Sequence, residues 1–208
     1  MDKIVSCKNA NICINELKLI SKLSLDIYSG DRILITGKNG YGKTTLLRHL
    51  SGLIPNIDIE LYTNPVVLIG IKSPFDSHLT VRENLLRLFS LYQISGKRKY
   101  LFRRILFYSQ LSSNIFDVLF FKLSPGTAMR VAFALSVIRC KDSELIVMDE
   151  WLSVGDSEFR HFADKILRKI ISKDVAIIIA TNSNPDRFLF INKHIKLMGN
   201  GNINISQV

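Results

Sequence analysis

The chain has 208 residues, which suffices for one well-buried domain and argues against two. Hydrophobic residues make up 47% and charged residues 22%, so the composition excludes disorder, and the longest apolar runs are too short to span a bilayer. The net charge of +10 would suit nucleic acid or an anionic membrane surface, although a solvated helical face is the commoner explanation. Part of this charge lies in one basic segment, at Lys97, Arg98, Lys99, Arg103 and Arg104.

The cysteines and the N-terminal residues bear on the cellular compartment. Cys7, Cys13 and Cys140 are odd in number and lack paired spacing, so we expect reduced thiols rather than disulfides or a metal site. The first residues show no basic-then-apolar signal pattern, which predicts that the chain stays in the cytoplasm.

Short β-branched runs alternate with longer segments of helical period, which predicts an α/β fold with a largely parallel sheet. A helix is expected at Thr44–Leu53, directly after the first core strand. Continuous apolar runs of strand length predict core strands at Asp31–Thr36, Val66–Gly70, Leu145–Met148 and Val175–Ala180.

The segment from Leu79 to Arg139 lacks β runs and predicts a helical insertion between two strand-rich parts. Its helices are expected at Val81–Tyr92 and Lys97–Leu106, with a third beginning near Thr127. A later helix at Ser157–Ile171 carries Phe159, Phe162, Ile166 and Ile170 on one stripe, which predicts core positions. His194–Met198 and Asn202–Ile205 flank a Gly/Asn turn and predict a hairpin.

The most specific string is Gly37–Thr44, GKNGYGKT, which fits the P-loop pattern between a predicted strand and a predicted helix. Its glycines let successive backbone N–H groups point at phosphate oxygens, and the helix N-terminus adds positive potential. We expect Lys43 to reach the outer phosphates as a catalytic group and the Thr44 hydroxyl to bind Mg²⁺. A glycine turn with a chance lysine would give the same string, but the strand–loop–helix context favours a nucleotide site. The expected binding residues are Gly37, Lys38, Asn39, Gly40, Tyr41, Gly42, Lys43, Thr44 and Thr45.

Two carboxylates follow the apolar strand Leu145–Met148. Asp149 is placed to hold the metal, directly or through water, and Glu150 to polarise an attacking water as general base. A P-loop alone would also allow a GTPase, a nucleotide kinase or a helicase, and a strand that ends in Asp-Glu is moderately common by chance. The two elements together favour a nucleotide-hydrolysing site.

The stretch between the P-loop string and Asp149 indicates which family of P-loop proteins the chain resembles. Leu123–Thr127, LSPGT, and the following Ala128–Leu135 look like a variant of the LSGGQ signature and its helix in ABC-transporter nucleotide-binding domains. Read alone, the string is a helix start with Ser124 as cap and Pro125 in the first turn. The resemblance covers nearly the full chain, and it also includes Ser153–Asp156 at the family's D-loop and Leu79–Leu85 at the start of the helical subdomain.

This resemblance implies an α/β P-loop ABC ATPase core with a mixed, largely parallel sheet, a small N-terminal β region and a helical subdomain inserted before the Asp149 strand. One domain would span residues 1–208, with the core at approximately 1–71 and 140–208 and the helical subdomain at approximately 72–139. The resemblance also implies a homodimer, in which Ser124, the Gly126 amide and the helix N-terminus of one copy close over the ATP and Mg²⁺ held by the second copy.

The resemblance further implies an integral-membrane permease as partner and a peripheral position on the inner face of the cell membrane, and no nucleic-acid partner is expected. Two strings indicate a subgroup. Asp149–Asp156 with Phe159, and Met129–Ala134, look like exporters of polysaccharides, O-antigen or teichoic-acid-type polymers. The haem-exporter ATPase of cytochrome c maturation matches in length and at Leu79–Leu85, and it remains the alternative.

Three positions depart from the family pattern. Lys72 stands where a metal-binding glutamine is usual and has no acceptor oxygen, and Asn182 stands where a histidine is usual and cannot carry its charge. Ile14 occupies the place of an adenine-stacking aromatic. We therefore expect ATP binding with slow hydrolysis. A nucleotide-binding regulatory module that barely turns ATP over is a second interpretation, and a soluble ABC protein acting on DNA or ribosomes is a third.

Overall fold

The computed structural model describes residues 2–14, 16–64, 66–69, 75–140, 143–149, 156–170, 174–182 and 191–208, which fall into two compact units. The first, the core unit, comprises Met1–Leu68, Ser143–Trp151 and Ser172–Val208. The second, the helical unit, comprises Ile69–Asp142 and Leu152–Ile171. Among the helices that the structure describes, none combines the length and the hydropathy of a membrane-spanning segment.

The core unit contains nine strands and one helix in its described part. In chain order they are β1 (Lys3–Ile14), β2 (Leu17–Tyr28), β3 (Arg32–Thr36), α1 (Lys43–Leu50), β4 (Ile59–Leu61), β5 (Val66–Ile69), β6 (Leu145–Asp149), β7 (Ala176–Ala180), β8 (Lys193–Gly199) and β9 (Asn202–Gln207).

These strands form two sheets. An antiparallel sheet has the order β2–β1–β4, and a mixed sheet has the order β5–β6–β7–β3–β8–β9. In the mixed sheet β3 runs parallel to β7 and β8, and β6 runs parallel to β7, whereas β8 and β9 pair antiparallel. The central strands β3, β6 and β7 have buried apolar interiors, and their polar residues stand only at strand ends, as expected of strands covered on both faces.

The predicted core strands are confirmed, with small differences at their ends. The predicted α1 was too long, since the helix ends at Leu50 rather than Leu53. Gly52 adopts a positive φ of 72°, and its N–H donates to His49 O, so the chain turns away two residues after the helix. The hairpin of β8 and β9 turns at Asn200 and Gly201, both with positive φ.

The helical unit contains α2 (Val81–Leu91), α3 (Arg98–Ser109), α4 (Pro125–Arg139) and α5 (Ser157–Ile170), with two short 3₁₀ turns between α3 and α4. The helix α2 begins with a capping box in which Thr80 accepts from Glu83 N and the Glu83 carboxylate accepts from Thr80 N. The helix α3 is three residues longer than predicted at its C-terminal end.

The predicted stripe of α5 needs a correction. Phe159, Ala163 and Leu167 are buried, whereas the predicted Phe162 and Ile166 are only half-buried, and the side chain of Ile170 lies outside the described part. The buried line follows the i, i+4, i+8 spacing, so it lies one residue away from the line drawn through Phe162 and Ile166. The half-buried side chains of Phe162 and Ile166 lie at the edge of this buried line.

Candidate functional site

The loop between β3 and α1, called the phosphate loop below, packs closely against neighbouring strands at two of its glycines. Gly42 precedes α1 with a φ of 93°, and a Cβ at this position would lie 3.1 Å from Leu19 Cδ1. A Cβ at Gly37 would lie 2.9 Å from Leu197 Cβ. Glycine is therefore required at both ends of the loop, for conformation and for close approach.

Lys43 is buried at the first residue of α1, with 6% of its surface exposed. Its Nζ donates to Gly37 O at 2.8 Å and to Lys38 O at 3.2 Å. The ammonium group thus lies inside the loop and next to the N-terminus of the helix, where the backbone N–H groups are oriented toward an incoming anion. This arrangement is suited to phosphate oxygens.

The other predicted residues of the loop take different environments. Lys38, Asn39 and Gly40 are exposed, Tyr41 and Thr44 are half-buried, and Thr45 is buried. A Cβ at Gly199 would lie 3.0 Å from the Tyr41 ring, which therefore packs against the turn of the β8–β9 hairpin. The half-buried Thr44 sits in the first turn of α1, beside Lys43.

Asp149 ends β6 at the same sheet edge from which the loop leaves β3, since β3, β6 and β7 run parallel. Its Oδ1 is buried, and among the residues that the structure describes it is a buried side-chain oxygen without a hydrogen-bond partner. A buried carboxylate oxygen left unpaired is a ligand that Mg²⁺ prefers, so the donor chemistry fits the metal. Glu150 and Lys72 lie outside the described residues.

A contact that the sequence did not predict joins the loop to the end of β7. Asn182 Nδ2 donates to Asn39 Oδ1 at 2.6 Å, and Thr181 N donates to Ile35 O at 3.1 Å. Asn182 stands where the family that the chain resembles usually has a histidine, and its neutral amide contacts the phosphate loop. Only the order β7–β3 in the sheet could have indicated this pair.

A histidine below the loop was also missed. Thr36 Oγ1 and His194 Nε2 are 2.7 Å apart and share a hydrogen bond. Burial lowers the pKa of His194 from its ordinary value, and the neighbouring charge of Lys196 lowers it further. The last residue of β3 is therefore anchored to β8 by a ring that stays neutral more readily than usual.

The signature residues lie on the helical unit, at the start of α4. Ser124 caps the helix, because its Oγ accepts from Thr127 N at 3.1 Å, and Pro125 is the first helical residue. Ser124 is exposed, and a Cβ at Gly126 would meet only Ser124 Oγ, at 4.0 Å. Pro125 has no N–H, and Thr127 N and Ala128 N donate to Ser124, so this helix end offers the exposed Ser124 side chain and the half-buried Gly126 amide.

The same helix is tied to the last residue of the D-loop string. Arg130 forms an ion pair with Asp156, and its guanidinium lies 4.5 Å from the centroid of the Phe159 ring. Asp156 also accepts from Phe159 N at 2.8 Å, and this hydrogen bond, followed by the one from Arg130, lowers the pKa of the carboxyl. Residues 153–155 of the string lie outside the described part of the chain.

The place expected for base stacking lies at the tip of the β1–β2 hairpin. Ile14 is 44% exposed and Leu17, its cross-strand partner, is 64% exposed. Leu19, two residues further along β2, is the side chain that closes against Gly42. An exposed aliphatic pair therefore stands beside the phosphate loop.

Comparison with known proteins agrees with this arrangement. The ABC transporter family matches residues 20–153 of the chain. The teichoic acids export ATP-binding protein TagH of Enterococcus faecalis is 36% identical over 154 residues, which are 72% of this chain and 33% of that protein. The polysialic acid transport ATP-binding protein KpsT of Escherichia coli is 30% identical over 184 residues, 84% of this chain and 82% of that protein. The chain thus spans a third of the length of TagH.

The fold has solved counterparts. A dimeric structure of a post-hydrolysis state of the ATP-binding cassette MJ0796, bound to ADP and Pi, superposes with a TM-score of 0.77 at 19% identity and covers 98% of both chains. This likeness confirms the predicted α/β ABC fold. Because the family match extends over more than half of its residues, the chain belongs to the ABC transporter family.

Proposed function

We propose that the chain binds and hydrolyses ATP to drive the export of a polysaccharide or related polymer through a separate membrane permease. The observation that carries this proposal is that the loop around Lys43 and the buried Asp149 Oδ1, which has no hydrogen-bond partner in the described part of the chain, lie at one edge of one sheet. The export of polymers is supported by the two curated relatives described above, and this favours a polymer over haem.

The phosphate loop would bind ATP by exchanging internal contacts for contacts to the nucleotide. The Lys43 ammonium is held by two carbonyl oxygens, and a triphosphate would offer it charged acceptors, which make stronger hydrogen bonds than neutral carbonyls. Backbone N–H groups of residues 37–45 would complete the cradle. Ile14 and Leu17 would lie against the base, with less contact than an aromatic ring provides.

Thr44 and Asp149 would hold Mg²⁺, whose charge would offset that of the phosphates. The chain's own contribution is the buried Asp149 oxygen, with Glu150 directly after it in the sequence. Glu150 would accept the proton of the attacking water. Asn182 would donate a neutral hydrogen bond on the same side of the loop.

Two copies would work together. Ser124, the Gly126 amide and the N-terminus of α4 in one copy would close over ATP bound to the P-loop of the other. Ser124 is exposed at the start of α4, which supports such a role. ATP binding would close the dimer and hydrolysis would reopen it, and the permease would follow this motion.

In this proposal, residues 1–208 act as one ATPase domain, with the helical subdomain at approximately 72–139. The permease would keep the chain at the inner face of the cell membrane. No nucleic-acid partner is proposed.

Hydrolysis is proposed to be slow because Lys72 and Asn182 replace a metal ligand and a charged donor. The variant that carries Lys72→Gln and Asn182→His together should hydrolyse ATP faster than the unchanged chain. Unchanged turnover, or a rate already typical of transporters before the exchange, would show that the chain manages without these two groups.

A weakly hydrolysing regulatory module is the second candidate, and the neutral Asn182–Asn39 contact favours it. Glu150→Gln separates the two functions. In a working ATPase this change abolishes turnover and traps ATP in a stable dimer, whereas a binding module behaves as before. Size-exclusion chromatography with Mg-ATP and a phosphate-release assay measure both properties.

The export function is tested in the source cell. Disruption of the gene should remove a surface polymer, and the unchanged gene should restore it while Lys43→Ala should not. Normal surface polymer in the disrupted strain would rule out the proposed cargo, without affecting the biochemical assignment.

A further inference from the structure

One face of α3 combines exposed cations with exposed aromatic rings. This surface, the α3 face, consists of Lys99, Tyr100, Arg103 and Phe107, which are spaced three and four residues apart and therefore lie on one side of the helix. Tyr100 is 60% exposed and Phe107 is 63% exposed, and both cations are exposed. The opposite side of α3 is buried in the helical unit, at Leu101, Ile105 and Ser109.

The charge of this region is of one sign. From Lys97 to Gln110 the chain carries five cations and no acidic residue. In the part of the chain that the structure describes, the ion pairs are formed by other residues, namely Lys3–Asp26, Arg82–Asp117, Arg130–Asp156 and Lys193–Asp31. The α3 face therefore presents its charge to solvent, and like charges oppose its association with a second copy of itself.

The aromatic rings are held among the cations. The Arg104 guanidinium lies 5.8 Å from the centroid of Tyr100 and 5.7 Å from that of Tyr108. Phe107 packs edge-on against Phe162 of α5, with 6.2 Å between the ring centroids, so its outward orientation is supported from behind. Both large rings are thus fixed in positions where water covers most of their surface.

Cations interleaved with aromatic side chains on one face are suited to the boundary between lipid headgroups and acyl chains. Lysine and arginine attract anionic headgroups, and an aromatic body enters the layer below them. Between Lys99 and Phe107 the helix rises by roughly 12 Å, so the four side chains can meet a flat surface together. Single-stranded RNA would instead need open ring faces for stacking, and Phe107 has neighbouring rings at both Tyr108 and Phe162.

We propose that the α3 face is a docking surface for anionic phospholipid, with Lys99 and Arg103 contacting the headgroup phosphates and with Tyr100 and Phe107 at the acyl boundary. This contact is separate from nucleotide binding, because α3 carries none of the residues placed in the nucleotide site. It would orient the helical unit toward a bilayer independently of any protein partner.

The test is co-sedimentation of the full chain with vesicles. Vesicles of phosphatidylglycerol and phosphatidylcholine in equal parts should bind the chain, and vesicles of phosphatidylcholine alone should not. The double variant Lys99→Gln/Arg103→Gln should weaken binding roughly fivefold for each cation removed. Tyr100→Ser should reduce the part of the binding that persists at high salt, where charge attraction is screened.

The matched control removes the same charge elsewhere. Lys8→Gln/Lys22→Gln takes two exposed cations from the antiparallel sheet of the core unit and should leave vesicle binding close to that of the unchanged chain. Circular dichroism verifies that every variant is folded. Equal losses in both double variants would mean that the net charge alone attracts the vesicles, which overturns the proposal.

A second probe separates lipid from nucleic acid. If a single-stranded RNA oligonucleotide binds the chain and Lys99→Gln/Arg103→Gln abolishes this binding while vesicles do not bind, the surface recognises RNA and the proposal is wrong. Lys43→Ala should keep full vesicle binding. A failure of lipid docking and a failure of the proposed ATPase function are therefore distinguishable.

Discussion

Asn182 donates a hydrogen bond from Nδ2 to Asn39 Oδ1 across 2.6 Å, although the two residues are 143 positions apart in the chain. The contact connects the end of β7 to the exposed side of the phosphate loop. It is formed by two neutral amides, so its strength does not depend on the protonation of either partner. The loop is therefore supported from the neighbouring strand before any nucleotide arrives.

Removal of this contact should weaken ATP binding modestly. Asn182→Ala and Asn39→Ala should each raise the dissociation constant about fivefold, because an ordinary hydrogen bond contributes about 1 kcal/mol. The double variant should bind no more weakly than either single variant, since both remove the same interaction. Titration with a fluorescent ATP analogue measures all three.

Asn204→Ala, on the exposed surface of β9, is the matched control and should leave the affinity unchanged. Losses that simply add in the Asn39→Ala/Asn182→Ala variant would mean that the two side chains act separately, and the structural link would have no role in binding.

Lys43→Ala should reduce ATP affinity by roughly a hundredfold, because the loop loses the buried cation that would bind the phosphates. Lys38→Ala is the control, since Lys38 is exposed and contributes its backbone carbonyl, which the change preserves. Isothermal titration calorimetry with Mg-ATP compares them. Comparable affinity of the Lys43→Ala protein and the unchanged chain would contradict the assignment of the loop.

Asp149→Asn should affect stability and activity in opposite directions. The Oδ1 atom of Asp149 is buried and has no hydrogen-bond partner among the described residues, so a neutral amide of the same shape should raise the free energy of unfolding by about 1 kcal/mol. The same change should abolish Mg²⁺-dependent hydrolysis, because an amide is a poorer ligand for the metal.

Thermal unfolding without Mg²⁺ and nucleotide measures the first effect, and phosphate release measures the second. Asp174→Asn, an exposed carboxylate in a loop of the core unit, should change neither property. A lower melting temperature of the Asp149→Asn protein would show that the carboxylate stabilises the fold and is not an unpaired group reserved for a metal ion.

The central strands could be predicted from the sequence because β3, β6 and β7 are continuous apolar runs, and strands buried on both faces have little freedom of composition. The long strands β1 and β2 were predicted only as a small β region. Their polar residues and several register shifts obscure the alternation that would have marked them.

The loop between β3 and α1 could be recognised from the sequence because the residues of its P-loop pattern, Gly37–Thr44, are consecutive in the chain. The pairs Asn39–Asn182 and Thr36–His194 could not, since each depends on which strands are neighbours in the sheet. No local sequence pattern indicates the order of the strands in the sheet. The error in α5 has a different origin, because the sequence prediction followed the large side chains to Ile166, whereas the buried line passes through Ala163 and Leu167.

His194 should make stability depend on pH in a defined direction. Its pKa in the folded protein is lowered below the ordinary value of 6.5, mainly by burial, so the unfolded chain binds the proton more readily. The stability contributed by neutral His194 is present above pH 6.5 and is lost as the pH falls toward the folded pKa. Denaturant unfolding at a series of pH values measures this loss.

The variant His194→Gln should show a weaker dependence on pH in that range, because glutamine can accept from or donate to Thr36 without titrating. His161→Gln, on the exposed side of α5, is the control and should follow the unchanged chain. Identical pH profiles for His194→Gln and the unchanged chain would show that this ring does not contribute to the dependence.

The cap of α4 provides a way to separate a structural role of Ser124 from a role at the nucleotide. Ser124→Ala should lower the free energy of unfolding by about 1 kcal/mol, because Thr127 N loses its acceptor. Ser124→Asp keeps a capping oxygen and should retain the stability, but a carboxylate directed toward the triphosphate of a second copy should repel it. The ATP-dependent dimer of the Ser124→Asp protein, prepared with Glu150→Gln to prevent hydrolysis, should therefore be lost while the fold is intact. If Ser124→Asp dimerises as well as Glu150→Gln alone, the exposed serine acts only as a helix cap and the two-copy site is built from other groups.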